Sequence, residues 1–333
     1  MDGLMIRSRA KWAEKGEKSN KHFFSRLKSR EKSQSMASLL DENGKPEASM
    51  IGISKIAGQF YQNLFTSEPT NEASQEFMLE RITSKVSEQQ ASIFEFYKKF
   101  ELKVAKVLLE LFNNDSIEKW NNDLGGSVIT LLPKSGDIRN IRNWRPISLS
   151  NCDEKILTKI LANRIQKVMM QIIHPSQCGF TKGRSIMDNI LLKKFIIDEG
   201  KRKNTNCNGY VVMLDQEKAY DRVDWEYMYK CLTKMGIGTG FTRYLRAIYT
   251  GAKTRIKING GLTEPMEITR GLRQGDPLSL LLYNIVIEPL LAFLRSMLKG
   301  IKTTSTKFTT SAYADDISVG IRDKSDAEIH NWD

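Results

Sequence analysis

Residues 210–225 read YVVMLDQEKAYDRVDW, and they constrain the fold more than any other stretch. The unbroken apolar run before Asp215 predicts a buried β-strand, which would bring this carboxylate to the end of the strand. The apolar spacing after Trp225 predicts a helix with Asp224 as its N-cap and Gly236 as its C-terminal stop. Taken alone, Asp215 is equally compatible with an ordinary loop residue.

Two further stretches lie downstream. Residues 271–285 read GLRQGDPLSLLLYNI. They predict a glycine-rich turn and then a helix with Asp276 as N-cap and Pro277 at its first position. On this turn, Arg273 and Gln274 are expected to project from the loop, where glycine allows close approach of a backbone or base.

Residues 308–321 read FTTSAYADDISVGI, in which two apolar runs flank an acidic pair. The pattern predicts a β-hairpin with Asp315 and Asp316 at its tip. Aspartate is common in turns, so the pair alone is also compatible with a structural role. Together with a strand-end Asp215, however, the pair could supply the carboxylates that bridge two magnesium ions in phosphoryl transfer.

The sequence upstream predicts mixed secondary structure. Residues 51–65 and 156–172 have helical periodicity, a helix over 104–111 is also expected, and Ser185 with Asp188 predicts a capping box for another. Residues 66–92 are polar and are interpreted as a linker. A strand over 127–132 leads into a basic loop whose side chains are available to phosphates. These side chains are Lys134, Arg139, Arg142 and Arg145.

The charge of the whole chain points to a polyanionic partner. The 333 residues include 51 Lys and Arg against 39 Asp and Glu, for a net charge of +12, which favours nucleic acid over a membrane. The first 36 residues are basic with interleaved aromatics, a pattern typical of nucleic-acid binding but also of a solvated helix. The residues expected to contact nucleic acid there are Lys11, Lys15, Lys18, Lys21 and Arg26.

Cysteine and apolar patterns bear on the compartment. The four cysteines contain no C-x-x-C pair, so a zinc site or a disulfide framework is not expected, and an intracellular location is predicted without distinguishing nucleus from cytoplasm. The start of the chain has no signal-peptide pattern. The longest apolar run, residues 277–294, is interrupted by Asn284, Glu288 and Pro289, so it predicts a buried helix and no membrane partner.

In their order along the chain, LDQEKAYD, GLRQGDPLS and YADD resemble the three central palm motifs of reverse transcriptases, specifically those of non-LTR (LINE-type) retrotransposons. Upstream, LLPKSGD, NWRPISLSN, KILANRI and SQCGFTKGRSIMDNI are similar to the fingers and the start of the palm. The resemblance implies an α+β fold with right-hand polymerase fingers and palm, an antiparallel palm sheet backed by helices, and a helical N-terminal extension. The implied function is RNA-directed DNA polymerase activity.

The same resemblance implies roles for individual residues. Asp215, Asp315 and Asp316 would be the catalytic acids and the ligands of two Mg²⁺ or Mn²⁺ ions. Tyr220 would select deoxynucleotides by its bulk beside the sugar 2′ position. The residues implied to lie near the incoming nucleotide are Gln274, at the template and base, and Arg145 and Lys134, at the triphosphate. The implied partners are an RNA template, a DNA primer and deoxynucleoside triphosphates.

The chain departs from the family pattern in places. The Pro-Gly-Asp-Gly-type stretch is absent near Gln90, Leu280 replaces a proline, and the thumb is expected to be missing after Asp333. We expect a basic helical extension and linker over 1–92, a fingers-like region over 93–205 and an incomplete palm over 206–333. The alternative to an active polymerase is a catalytically lapsed fragment that still binds nucleic acid.

Overall fold

The computed structural model describes residues 36–69, 71–80, 110, 126–201, 209–303, 307–324 and 326. The helices are α1 (Met50–Phe65), α2 (Glu72–Leu79), α3 (Cys152–Ile172), α4 (Ile186–Gly200), α5 (Trp225–Lys234), α6 (Thr239–Tyr249) and α7 (Ser279–Met297). The strands are β1 (Leu39–Leu40), β2 (Pro46–Glu47), β3 (Gly126–Pro133), β4 (Trp144–Leu149), β5 (Tyr210–Leu214), β6 (Lys253–Ile258), β7 (Gly261–Leu262), β8 (Met266–Glu267), β9 (Ile301–Lys302), β10 (Lys307–Phe308), β11 (Thr310–Tyr313) and β12 (Asp316–Ile321). The fold class is therefore α+β, as predicted.

The chain divides into two units, each made of three chain segments. The smaller unit comprises Met1–Tyr61, Val128–Ile147 and Arg255–Pro265, and the larger comprises Gln62–Ser127, Ser148–Thr254 and Met266–Asp333. The three sequence ranges proposed for extension, fingers and palm stay a prediction.

The smaller unit contains most of a five-stranded sheet in which β4, β3, β6 and β7 are neighbours in that order. Its core is aromatic: Tyr61 and Trp144 are both fully buried, and the Tyr61 hydroxyl donates to the Trp144 carbonyl over 3.3 Å. Ile53 and Ala57 lie on the same buried face of α1 as Tyr61, at the four-residue spacing that places side chains one above another on a helix. The predicted helix over 51–65 and strand over 127–132 are both confirmed.

The core of the larger unit is formed by helices α3, α5, α6 and α7 together with strands β11 and β12. Helix α7 is long and apolar enough, by length and composition alone, to cross a membrane. Most of its residues are nevertheless buried within the unit, including Asn284 and Glu288, and it contacts α3 and α5. Helix α7 is thus a core helix, as its interrupted apolar run predicts.

A three-stranded antiparallel sheet in the larger unit has the order β11, β12, β5. The predicted hairpin is confirmed, because β11 pairs directly with β12. The prediction that β5 is buried is wrong: Tyr210 and Met213 are 75% and 76% exposed. Within the described part of the chain β5 pairs on one side only, with β12, so it forms the edge of its sheet, and two of its five side chains are exposed.

Helix ends follow local sequence closely. Ser185 and Asp188 form the predicted capping box of α4, and the Asp224 side chain accepts from the Tyr227 backbone N–H over 2.7 Å at the start of α5. Gly236 has φ of +80°, as expected for a residue just past a helix. Helix α3 ends at Ile172, where the predicted helical periodicity over 156–172 also ends.

Two other helix predictions need correction. The polar stretch 66–92 contains helix α2, because Phe77 packs edge-on against Phe293 with 5.6 Å between ring centroids. Helix α7 begins at Ser279 and not at Pro277, since the Asp276 carboxylate accepts from the Leu278 backbone N–H over 2.7 Å in the preceding turn. The helix predicted over 104–111 lies outside the described residues apart from Glu110.

Candidate active site

Strand register brings the predicted acids to one end of the three-stranded sheet. Leu214, the last residue of β5, is paired with Ile317 of β12, and Tyr313 is paired with Asp316. Because β5 and β12 run antiparallel, Asp215 follows β5 at the position across from Asp316. Residues separated widely in sequence therefore have neighbouring backbones here, and Asp315 lies in the adjoining hairpin turn.

The three carboxylates differ in exposure. Asp215 and Asp316 are exposed, whereas Asp315 is half-buried. Across the described residues, no group of three or more His, Cys, Asp and Glu side chains is close enough together to hold a metal ion. The backbone thus brings the acids together, although within the described residues their side chains do not form a metal-binding group. The side chains of Asp215 and Asp316 are exposed, and exposed side chains change rotamer on the picosecond-to-nanosecond timescale.

Tyr220 lies beside these acids, in a 3₁₀ turn over Ala219–Arg222. Its ring stacks on Tyr283 of α7 with 4.5 Å between centroids and 30° between planes. The Tyr283 hydroxyl in turn donates to Gln216, the residue after Asp215. Burial raises the pKa of Tyr220 well above its ordinary value, and the negative charges of Asp315 and Asp316 add to the effect. The phenol is therefore neutral and held against the acidic end of the sheet.

Gln274 lies on a loop that is bound to the same turn. The Leu272 N–H donates to the Tyr220 carbonyl over 2.7 Å, and the Gly271 N–H donates to the Val223 carbonyl over 2.8 Å. Gly271 has φ of +97°, and a Cβ there would lie 2.7 Å from the Asp221 carbonyl oxygen, so only glycine permits this approach. Backbone hydrogen bonds thus hold the Gln274 loop against the turn that carries Tyr220.

The amide of Gln274 has a partner that sequence reasoning missed. Its Nε2 donates over 2.8 Å to Oδ1 of Asp221, a residue that is 1% exposed. A carboxylate only accepts, so the amide nitrogen faces Asp221 and the amide oxygen faces away from it. Asp221 and Gln274 are 53 positions apart, so nothing in the local sequence of either residue predicts this hydrogen bond.

Arg273 does not project from this loop, contrary to prediction. It is 5% exposed and forms an ion pair with Glu154, which is 1% exposed on the first turn of α3. The guanidinium also donates to the Ile248 carbonyl over 3.2 Å and lies 5.8 Å from the centre of the Tyr249 ring. Arg273 therefore anchors the loop from inside the core, because a buried guanidinium is tolerated only when it is paired.

The basic residues of the predicted phosphate loop belong to the smaller unit. Lys134 and Arg145 have exposed side chains there, and the Lys134 backbone N–H donates to the Asn143 carbonyl over 2.7 Å. The Arg139 guanidinium binds both oxygens of Asp137, but its side chain is 56% exposed, so its availability to phosphates stays a prediction. The proposed nucleic-acid contacts of the N-terminal segment all lie outside the described residues. These are Lys11, Lys15, Lys18, Lys21 and Arg26.

Gln177 is a second residue at this site that the sequence analysis left without a role. It is fully buried, and its side-chain amide contacts the backbone of Ala314, next to Asp315. The sequence SQCGF carries one usable signal: a glycine two residues after a glutamine, which indicates a close backbone approach.

Comparisons with known proteins identify the family of this chain. The family model described as "Reverse transcriptase (RNA-dependent DNA polymerase)" matches residues 132–331. The chain is 32% identical to the "Transposon TX1 uncharacterized 149 kDa protein" of Xenopus laevis, over 98% of this chain and 27% of that protein. It is 35% identical to the "Retrovirus-related Pol polyprotein from type-1 retrotransposable element R2" of Popillia japonica, over 56% of this chain and 26% of that protein.

The chain thus spans about a quarter of the length of these curated relatives. Among solved structures, an apo telomerase from Candida tropicalis is similar over 62% of this chain and 45% of that one, with 13% identity and a TM-score of 0.44. That score is too low to carry an argument. The family match covers more than half of the chain, and the relatives are retrotransposon proteins. The chain therefore belongs to the reverse transcriptase family, as a member of the non-LTR (LINE-type) retrotransposon group.

Proposed function

We propose that this chain is the polymerase region of an RNA-directed DNA polymerase, which extends a DNA primer along an RNA template. The observation that carries the proposal is the register of the three-stranded sheet, which puts Asp215 across from Asp316 with Asp315 in the adjoining turn. In a right-hand polymerase arrangement, this sheet and the helices behind it would be the palm.

The donor set suits two divalent ions. Carboxylate oxygens are the ligands that Mg²⁺ and Mn²⁺ prefer, and Asp215, Asp315 and Asp316 offer six of them on neighbouring backbone positions. When bound, two ions stabilise charge on both the attacking and the leaving oxygen of a phosphoryl transfer. The side chains of Asp215 and Asp316 are exposed and can turn toward a shared ligand.

The chain's own residues would orient the nucleotide. The Tyr220 ring packs against Tyr283 and is partly buried, so it is a rigid surface beside the acids. A ribonucleotide would bring a 2′-hydroxyl against that surface. Gln274, with its amide oriented by Asp221, would contact the nascent base pair. Arg145 and Lys134 would bind the triphosphate, which arginine can contact through two parallel hydrogen bonds.

The rival proposal is a catalytically lapsed fragment that binds nucleic acid without extending a primer. The net charge of +12 supports binding under either proposal. The acidic end of the sheet distinguishes the two proposals, because primer extension would use its carboxylates whereas binding to phosphates does not require them.

Primer extension on an RNA template with Mg²⁺ or Mn²⁺ tests the proposal. The full chain should add deoxynucleotides, and Asp315→Ala should abolish addition while leaving template binding intact. Asp198→Ala is the matched control, since Asp198 is an exposed acid on α4 outside the sheet. Metal-independent binding with no extension by the unaltered chain would favour the rival proposal. Equal extension by the unaltered chain and Asp315→Ala would exclude this site as the catalytic centre.

A further inference from the structure

The hairpin tip that carries Asp315 has an unfavourable backbone conformation. Tyr313 pairs with Asp316, so Ala314 and Asp315 form a two-residue loop. Ala314 has φ of +54°, as the first central position of such a loop often requires. Glycine is favoured there, because the Cβ of an L-residue makes the left-handed conformation unfavourable. A conformation of this kind persists only when neighbouring groups hold it in place.

The side-chain amide of Gln177 contacts both backbone polar groups of Ala314. Its Oε1 accepts from the Ala314 N–H over 2.8 Å, and its Nε2 donates to the Ala314 carbonyl over 3.2 Å. The same Oε1 accepts from the Gly179 N–H over 2.9 Å. The amide oxygen thus faces two donors and the amide nitrogen faces an acceptor, so these partners determine its orientation. Gln177 is completely buried, which shields the three hydrogen bonds from competing water.

The segment around Gln177 is itself bound to the hairpin backbone. The Cys178 N–H donates to the Ala312 carbonyl over 2.9 Å, and the Ala312 N–H donates to the Ser176 carbonyl over 2.7 Å. A Cβ on Gly179 would lie 2.5 Å from the Ala314 nitrogen, so no larger residue fits at 179 without displacing the tip. The glutamine is therefore presented to the tip by a rigid backbone, which makes its contact with Ala314 specific in position.

We infer that Gln177 is a positioning residue for Asp315. Gln177 fixes the hairpin tip, so that the Asp315 carboxylate is held where nucleotidyl transfer needs it. The inference rests on the proposed function, because the placement of Asp315 matters only if that residue acts in catalysis. In this role Gln177 acts through the backbone of Ala314, the residue next to the acid. Its effect is large because a misplacement of 1 Å at a reacting centre can cost about 100-fold in rate.

Hydrogen exchange tests the structural half of the inference without any need for activity. In the full chain, Gln177→Leu removes all three hydrogen bonds, and the backbone amides of Ala314 and Asp315 should exchange faster with deuterium. Asn189→Leu is the control, since Asn189 is also a buried amide and donates to Ala312 on β11 but not to the tip. Tip exchange in Gln177→Leu that matches the unaltered chain overturns the inference.

Single-nucleotide primer extension tests the functional half. Gln177→Leu should lower kcat about 100-fold with KM for the deoxynucleotide within threefold, whereas Asn189→Leu should keep both within threefold. If Gln177→Leu does not fold, Gln177→Glu replaces it: the acceptor is kept, the donor to the Ala314 carbonyl is lost, and kcat should fall at least tenfold.

A looser tip with unchanged kcat would overturn the positioning role while leaving the proposed function standing. No extension by the unaltered chain would instead refute the proposed function, and the exchange result would then decide on the Gln177 contact alone.

Discussion

Replacing Glu154 should lower the free energy of unfolding of the larger unit by more than the loss of an exposed charge would. In the Glu154–Arg273 pair the side chains are 1% and 4% exposed, so Glu154→Met leaves a guanidinium in the core without its counter-charge. Breaking a buried pair in this way costs about 3–5 kcal/mol. We expect the low end, about 3 kcal/mol, since Arg273 keeps its hydrogen bond to the Ile248 carbonyl and its contact with the Tyr249 ring. Domains are stable by only about 5–15 kcal/mol in total.

Urea unfolding followed by circular dichroism measures the free energy of unfolding directly. The control is the exposed Glu226–Arg246 pair, whose side chains are 65% and 51% exposed, and Glu226→Met should cost under about 1 kcal/mol. The double variant Glu154→Met/Arg273→Met should recover most of the loss, because apolar replacement of a whole buried pair is often neutral. A loss below about 1 kcal/mol in Glu154→Met, or a double variant no more stable than the single one, would refute the reasoning.

Three other predictions follow from the described residues and the sequence. Tyr220→Val should raise ribonucleotide use relative to deoxynucleotide use in primer extension, and a parallel loss of both would make the ring a packing element only. Burial raises the pKa of Asp276 from 3.8 to about 6, so the folded state binds its proton more tightly. The contribution of this proton to the free energy of unfolding is fully present below about pH 4 and is lost as the pH rises through about 6. Urea unfolding at pH 4.5 and pH 7 should show less pH dependence in Asp276→Asn, and identical profiles would contradict this. Neutralising basic residues of the N-terminal segment should flatten the salt dependence of nucleic-acid binding by roughly 0.7–0.9 per lost phosphate contact, measured by titration at several salt concentrations, and an unchanged slope would indicate a solvated helix. These residues are Lys11, Lys15, Lys18, Lys21 and Arg26.

Local sequence predicted the features that depend on local chemistry. The capping box at Ser185, the N-cap at Asp224 and the hairpin around Asp315 each follow from side chains a few residues apart, and all three are confirmed. The site prediction relied on the order of the motifs, since three short motifs in a fixed order along the chain are far more specific for one family than any single motif.

The features that a single sequence could not provide depend on partners distant in the chain. An apolar run such as that of β5 is the same in a central and in an edge strand, so its exposure depends on which strands pair with it. The burial of Arg273 was not predicted because its partner Glu154 lies 119 positions earlier in the chain. The contact of Gln177 with Ala314 spans 137 positions, and neither residue type suggests it.

Within the described residues β5 pairs on one side only, and this has a consequence for how copies of this chain behave together. An edge strand presents unpaired backbone groups, and natural proteins protect such edges with lysine, proline or a bulge. The strand reads YVVML, with neither a charge nor a proline, and Tyr210 and Met213 are mostly exposed. We therefore expect strand-to-strand addition between molecules at high concentration, which would extend the sheet that carries the acids.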